Sequence, residues 1–252
     1  MNAIFITGTA GSGKSLLTSK LLQWYLDRKS FPISINLDPG AINLPYEPDV
    51  DVRDYIDINT LMETYDLGPN GSLVMASDMI ATRLDEIQDE VNNLNPDYIL
   101  IDTPGQIELF AFRASGPYFV SNLQSDNKVN FFIYDGMLVS SPINFVSIAL
   151  LASSVRLRLK IAQVNILTKR DLIVDKLRDI LEWSSSALSL ESSLDNEKDV
   201  EYSLLSKDLF RSMSKGGFRQ DLIAVSSMTL NGMINLSAAL TRIVSQGEEV
   251  RD

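Results

Sequence analysis

The chain has 252 residues, of which 45% are apolar and 22% charged, so it can bury a large core and is not a mostly disordered polypeptide. Its 22 basic and 33 acidic residues leave a net charge of −11, which opposes general binding to nucleic acid or to an anionic membrane surface. With no cysteine and no histidine, disulfides, thiolate or imidazole zinc sites, cysteine nucleophiles and Ser-His-Asp triads are excluded, and any metal site must use oxygen ligands, as Mg2+ or Ca2+ would accept.

Residues 3–7 read as a buried strand that runs into glycines, and residues 15–29 as a helix with Leu16, Leu17, Leu21, Leu22, Tyr25 and Leu26 at helical spacings. Residues 33–37 form a second predicted strand. A polar loop with Pro39, Pro45 and Pro48 follows, then a short helix over 58–65. Gly68-Pro69-Asn70-Gly71 reads as a turn joining two helices, the second a single long helix over 72–94 with Met75, Met79, Leu84, Ile87 and Val91 near one face. Residues 98–101, 130–134, 164–168 and 222–225 read as further strands, the last three each followed by a helical pattern. This alternation predicts right-handed βαβ crossovers and a doubly wound, mainly parallel α/β sheet in one domain over 1–252.

A segment rich in Ser, Glu and Asp interrupts the rhythm at 184–199. With the helical pattern over 202–213 it makes an insertion, 184–215, expected to be helical and partly disordered. Its Leu188, Leu190, Leu194, Leu204, Leu205, Phe210 and Met213 are expected to roof the core, a partner groove being the alternative. Trp24 and Trp183 are read as packing residues. Arg156, Arg158 and Lys160 are read as the cationic end of a helix, with an RNA-binding strip as the alternative. No membrane span is expected, because the most apolar stretch, 129–151, contains Asp135, Gly136 and Pro142. The lack of cysteine fits a cytoplasmic location, and residues 246–252 are expected to fray.

Gly8-Thr9-Ala10-Gly11-Ser12-Gly13-Lys14-Ser15 fits the phosphate-loop pattern and stands between a predicted strand and a predicted helix, as that motif requires. Its glycines let the amides of Ala10, Gly11, Ser12, Gly13, Lys14, Ser15 and Leu16 turn toward phosphate oxygens, and the dipole of the following helix favours the same negative charge. Lys14 would neutralise the β- and γ-phosphates, and the Ser15 hydroxyl would ligate Mg2+. Asp102 ends a buried strand and opens Asp102-Thr103-Pro104-Gly105-Gln106. An acid there can hold Mg2+, and the Gly105 N–H can sense the γ-phosphate, which makes the next segment a switch.

Thr168-Lys169-Arg170-Asp171 follows the fifth strand in a pattern suited to guanine. Asp171 can accept both N1–H and the exocyclic amine of that base, a donor pair adenine lacks. Lys169 would lie along the base, with Ser226 and Ser227 closing over it. Asp38 stands at a strand end, where it can orient water or metal. Lys14 and Asp102 lie 88 residues apart, farther than in a compact small-GTPase layout.

Five pieces in register resemble the GPN-loop GTPase family. They are the phosphate loop with Lys14; Asn36-Leu37-Asp38-Pro39, with Leu44-Pro45-Tyr46 and Asp51-Val52-Arg53-Asp54-Tyr55 behind it; Gly68-Pro69-Asn70; Asp102 through Gln106, Ile107 and Glu108; and Thr168-Lys169-Arg170-Asp171. The resemblance reaches from the start of the chain to about residue 240 and is weakest at 184–215. It implies a P-loop NTPase fold of the SIMIBI-like kind, hydrolysis of GTP to GDP and phosphate with Mg2+, and an archaeal-type homodimer. It implies that Asn70 acts in trans at the partner subunit's nucleotide, and it makes Gln106, Glu108 and Asp38 the candidates for placing the attacking water, in no fixed order. No arginine finger follows from it, Arg53 and Arg113 being unsupported candidates. It further implies a nucleotide-driven switch in assembly of a larger complex, RNA polymerase in eukaryotic relatives, with a protein client and no nucleic-acid or membrane partner. The sequence departs from the family pattern at Thr9, where proline is frequent, and from many GTPases at Thr168, where asparagine is frequent.

Two rival readings share parts of this pattern. A phosphate-loop kinase of a small acceptor needs an arginine-rich lid, and the segment after Gly105 offers only Arg113. An ATP-driven dimeric scaffold of the partitioning kind tends to carry a basic tail, whereas this chain ends Glu248-Glu249-Val250-Arg251-Asp252.

Overall fold

The apolar run after Met1 forms β1 (Asn2–Gly8), and the chain turns through its glycines directly into α1 (Lys14–Leu26). This computed structural model describes residues 1–217 and 220–249. After α1 come β2 (Pro32–Asn36), β3 (Val50–Asp51), α2 (Ile58–Tyr65), α3 (Pro69–Met79), α4 (Leu84–Leu94), β4 (Tyr98–Asp102), α5 (Ile107–Ala111) and α6 (Ser115–Asn122). They are followed by β5 (Asn127–Asp135), α7 (Pro142–Leu159), β6 (Ala162–Thr168), α8 (Val174–Ser185), α9 (Ala187–Asp195), α10 (Val200–Lys215), β7 (Leu222–Ala224) and α11 (Met233–Glu249).

The strands form one seven-stranded sheet in the order β3-β2-β4-β1-β5-β6-β7, and every pairing is parallel. Side chains alternate across it, as the two-residue period of a strand demands. Ile4 and Ile6 pack on one face with Leu17 and Leu21 of α1 and Leu236 and Leu240 of α11. Ala3 and Phe5 pack on the other with Phe110, Phe119, Phe132 and Phe145. Helices on both faces explain why the strands read as continuous apolar runs. The chain crosses from the β2–β4 half to the β5–β7 half after β4, so the carboxyl ends of β1 and its neighbours make the crevice where such sheets bind ligands.

Two readings are corrected, a short strand is added, and one expectation is tested by a long apolar helix. Gly68-Pro69-Asn70-Gly71 is not a free turn: Gly68 caps α3 and Pro69 is its first residue, where a missing N–H costs nothing. The single helix over 72–94 is broken by a 3₁₀ turn at Ile80–Arg83, because α3 packs on α2 and α5 while α4 turns toward β3. The Thr82 hydroxyl donates to the Met79 carbonyl at 2.6 Å within that break. The two-residue β3 carries too short a pattern to be read from sequence. Finally, α7 is long and apolar enough to cross a bilayer by length and composition, but its Phe145, Val146, Ala149 and Ala152 are buried in the core, so it reads as a core helix.

The insertion is helical, in α9 and α10. Leu190, Leu194, Phe210 and Met213 are buried, while Leu188, Leu204 and Leu205 are exposed, so only part of its apolar set roofs the core. Trp183 packs edge-on against Phe145, and Trp24 lies under the Arg28 guanidinium. Arg156 and Arg158 occupy the last turn of α7, and Arg158 donates to the Ala111 carbonyl at 3.2 Å. Helix α11 continues to Glu249, and residues 250–252 of the expected frayed end lie outside the described residues.

Candidate nucleotide site

Gly11 and Gly13 adopt left-handed backbone, with φ of 72° and 96°, and this reverses the chain from β1 into the N-terminus of α1. A residue with a Cβ is strained there. Ala10 and Gly11 are exposed, Gly13, Ser15 and Leu16 are half-buried, and Ser12 is buried with a hydroxyl that has no hydrogen-bond partner. The loop therefore presents main-chain amides rather than side chains at the positive end of a helix. Lys14 is 6% exposed, and its Nζ donates to the carbonyls of Gly8 (3.1 Å), Thr9 (3.0 Å) and Gly105 (3.3 Å). Burial lowers its pKa, while the carboxylates of Asp102 and Asp38 pull it upward.

Strand register brings the acids to this loop. Asp102 at the end of β4 lies beside Ile6 of β1 on one side and Asn36 of β2 on the other. Asp102 is buried: its Oδ2 accepts the Tyr46 hydroxyl at 3.0 Å, and its Oδ1 has no hydrogen-bond partner. Burial pushes its pKa up to about 6, against the Ser15 and Tyr46 hydroxyls and the Lys14 charge, with Asp38 adding to the rise. Thr103 next to it donates to the Ile6 carbonyl at 2.7 Å and fastens the turn to β1.

Asp38 is fixed by backbone. Its Oδ2 accepts the Gly105 N–H and its Oδ1 the Gly40 N–H, both at 2.9 Å, and its own N–H donates to Asn36 Oδ1 at 3.0 Å. Asn36 in turn donates to Asp51 at 2.9 Å, and Asp51 is held by Arg53, whose guanidinium also reaches the Ala41 carbonyl at 2.8 Å. Gln106 and Glu108 are exposed where α5 begins, Glu108 in its first turn. Arg53 is paired with Asp51, and Arg113 with Asp78, so each guanidinium is committed to an acid other than Asp38 or Asp102.

The donors present suit Mg2+. A buried, unpartnered Asp102 Oδ1 and the Ser15 hydroxyl are hard oxygens. Among the described residues no group of three or more acids forms a cage, so an ion here must take its other ligands from phosphate and water, as Mg2+ prefers.

The Thr168-Lys169-Arg170-Asp171 segment docks on the phosphate loop. Thr168 Oγ1 donates to the Ser12 carbonyl at 2.9 Å, so the threonine keeps a loop contact. Lys169, in left-handed backbone at φ 58°, donates to the Gly11 carbonyl at 2.9 Å and to Asp135 Oδ2 at 2.7 Å. Asp171 is half-buried in the turn that follows. Ser226 is fully buried: its hydroxyl accepts the Thr229 N–H at 3.1 Å, and its N–H donates to the Asn231 carbonyl at 2.9 Å, so its side chain shapes the loop. Asn70 is exposed in the first turn of α3, and Leu73, one turn on, rests against Gly40 beside Asp38.

Sequence reasoning assigned no role to Tyr46, Asp51 or Asp135. Tyr46 and Asp51 lie in segments that carry the family resemblance, but no role attached to either, and Asp135 showed only as a polar residue at the end of β5.

A family model described as a conserved hypothetical ATP-binding protein matches residues 6–246. A GPN-loop GTPase 3 from Debaryomyces hansenii is 31% identical over 225 residues, covering 87% of this chain and 82% of the relative. A GPN-loop GTPase 1 from Dictyostelium discoideum is 32% identical over 197 residues, covering 77% of this chain, which spans about half (49%) of that relative's length. The crystal structure of a GTPase from Pyrococcus abyssi in its apo form superposes with a TM-score of 0.83 at 28% identity, covering 96% of this chain and 97% of that one.

Proposed function

The chain belongs to the GPN-loop GTPase family, and from that premise we propose that it binds GTP at the carboxyl end of the sheet and hydrolyses it to GDP and phosphate with Mg2+. The observation that carries this reading is the docking of two loops. Thr168 on Ser12 and Lys169 on Gly11 hold the base-reading turn at a set distance from the amides that face phosphate. Lys14 exchanges its carbonyl partners for phosphate oxygens, and the α1 dipole favours the same charge. Ser15 and Asp102 would hold Mg2+, which would supply positive charge to the phosphates when bound. Asp38, which accepts the Gly105 N–H, and Gln106 and Glu108, exposed where α5 begins, are the candidates for placing the attacking water, a step in which catalysis is mainly positioning.

Guanine is chosen by Asp171, despite the ATP-binding description of the family model. The test is to titrate GTP and ATP against the wild type and Asp171→Asn, following phosphate release. The wild type prefers GTP, and the substitution erodes that preference about tenfold or more. An unchanged ratio would refute the guanine site.

We also propose a cytoplasmic homodimer in which Asn70 serves the partner subunit's nucleotide, supported by the family resemblance and by the exposure of Asn70. The role of a switch in assembling a larger complex rests on the resemblance alone. Its test is whether protein clients are captured differently by the protein loaded with GDP and with a non-hydrolysable GTP analogue. An identical set counts against it.

A further inference from the structure

The loop between β2 and β3 crosses the edge of the site and is tied down at several points. Ser19 of α1 donates to the Pro45 carbonyl at 3.0 Å. Arg53 donates to the Ala41 carbonyl at 2.8 Å, and Asp49 accepts the Ser34 N–H at 2.7 Å. The residue after the Ser19 anchor is Tyr46. Its ring is half-buried, and its hydroxyl meets Asp102 Oδ2 at 3.0 Å from 56 residues away.

A buried carboxylate that has one oxygen held and the other bare has a defined orientation. Asp102 is 1% exposed and Oδ1 is its bare oxygen. The donor on Oδ2 is neutral, so it restrains the group without cancelling the charge a cation needs. A lysine or arginine in the same place would restrain and neutralise together. Partners of this kind orient metal-binding carboxylates, and losing one weakens metal affinity.

We propose that Tyr46 is a positioning residue of the metal site: its hydroxyl sets the Asp102 carboxylate so that Oδ1 is left for the Mg2+ shell, and Ser19 holds Tyr46 in place through Pro45. The proposal rests on the reading that Asp102 serves Mg2+, and its test separates the two. Release of a fluorescent N-methylanthraniloyl GDP is followed across a Mg2+ titration in the wild type, Asp102→Asn, Tyr46→Phe and Ser19→Ala. In the wild type Mg2+ slows release with a measurable midpoint, and Asp102→Asn abolishes the response. A wild type indifferent to Mg2+, or an Asp102→Asn variant that responds normally, ends the metal reading and the role of Tyr46 with it.

Given that response, Tyr46→Phe raises the Mg2+ midpoint about five- to tenfold, and Ser19→Ala shifts it the same way by a smaller factor. A wild-type midpoint in Tyr46→Phe overturns the proposal whatever Ser19→Ala does. So does release accelerated by the same factor in chelator and in saturating Mg2+, because that is the mark of a ring that only packs the loop.

Discussion

Lys14 and the Gly105 N–H are both held by groups that a triphosphate would displace. The lysine rests on three carbonyl oxygens, and Gly105 donates to the Asp38 carboxylate. Phosphate oxygens compete for the same donors with more charge, so binding exchanges partners rather than uncovering bare groups. Asp102 is different, because its burial is not matched by a full set of partners. Its pKa is raised to about 6 from an ordinary 3.8. The folded protein therefore holds that proton more tightly than the unfolded chain. Stability from this group is fully present below pH ~3.8, is lost as pH rises through about 6, and leaves a cost of about 3 kcal/mol at neutral pH. Asp102→Asn should thus stabilise the nucleotide-free protein by up to about that amount at pH 7.5 in urea denaturation, with the gain shrinking between pH 6 and 4. A gain independent of pH would show that the charge of Asp102 is not what the fold resists.

At the scale of elements, the site is an edge. β1, β2 and β4 end side by side, so the phosphate loop, Asp38 and Asp102 meet without any of them being near in sequence. β6 lies beyond β5, and its last residue Thr168 and the following Lys169 close the gap to the loop by hydrogen bonds of 2.9 Å. Among the helices, α1 aims its N-terminus at this edge, and its Leu17 and Leu21 are wholly buried beneath it. A buried leucine contributes about 2 kcal/mol, so the amides of the loop are held by packing several residues away. The 3₁₀ turn at Ile80–Arg83 ends α3, whose Leu73 lies against Gly40 beside Asp38 and whose first turn carries the exposed Asn70.

For the whole molecule, the proposed dimer makes a prediction that no single subunit can satisfy. Asn70→Ala should slow hydrolysis more than it weakens nucleotide binding. Lys14→Ala should abolish binding. Mixed, the two variants should recover activity above either alone, because a Lys14→Ala subunit still supplies an intact Asn70 to the nucleotide held by its Asn70→Ala partner. Phosphate release measured at several mixing ratios checks this, and a mixture no more active than the sum of its parts would sink the in-trans role. The net charge of −11 sets the background: any triphosphate enters against the global field, and the local amides, the α1 dipole and Lys14 favour it.

By itself the sequence determined what is local. The apolar strands, the glycines that must turn left-handed before Lys14, the acid at the end of β4 and the Thr168-Lys169-Arg170-Asp171 turn were all legible, because each is set by steric rules or periodicities acting over a few residues. The sheet's parallel, doubly wound character followed from the alternation of those patterns. Only the tertiary structure decided which distant groups meet: Tyr46 on Asp102, Asp38 on Gly105, Asp135 on Lys169. It also decided the α3–α4 break and the two-residue β3, whose own patterns are too short or too uniform to mark them. Those outcomes depend on strand order and on the packing of helices that no local pattern encodes, because a hydrogen bond between residues tens of positions apart exists only once the sheet has placed both ends.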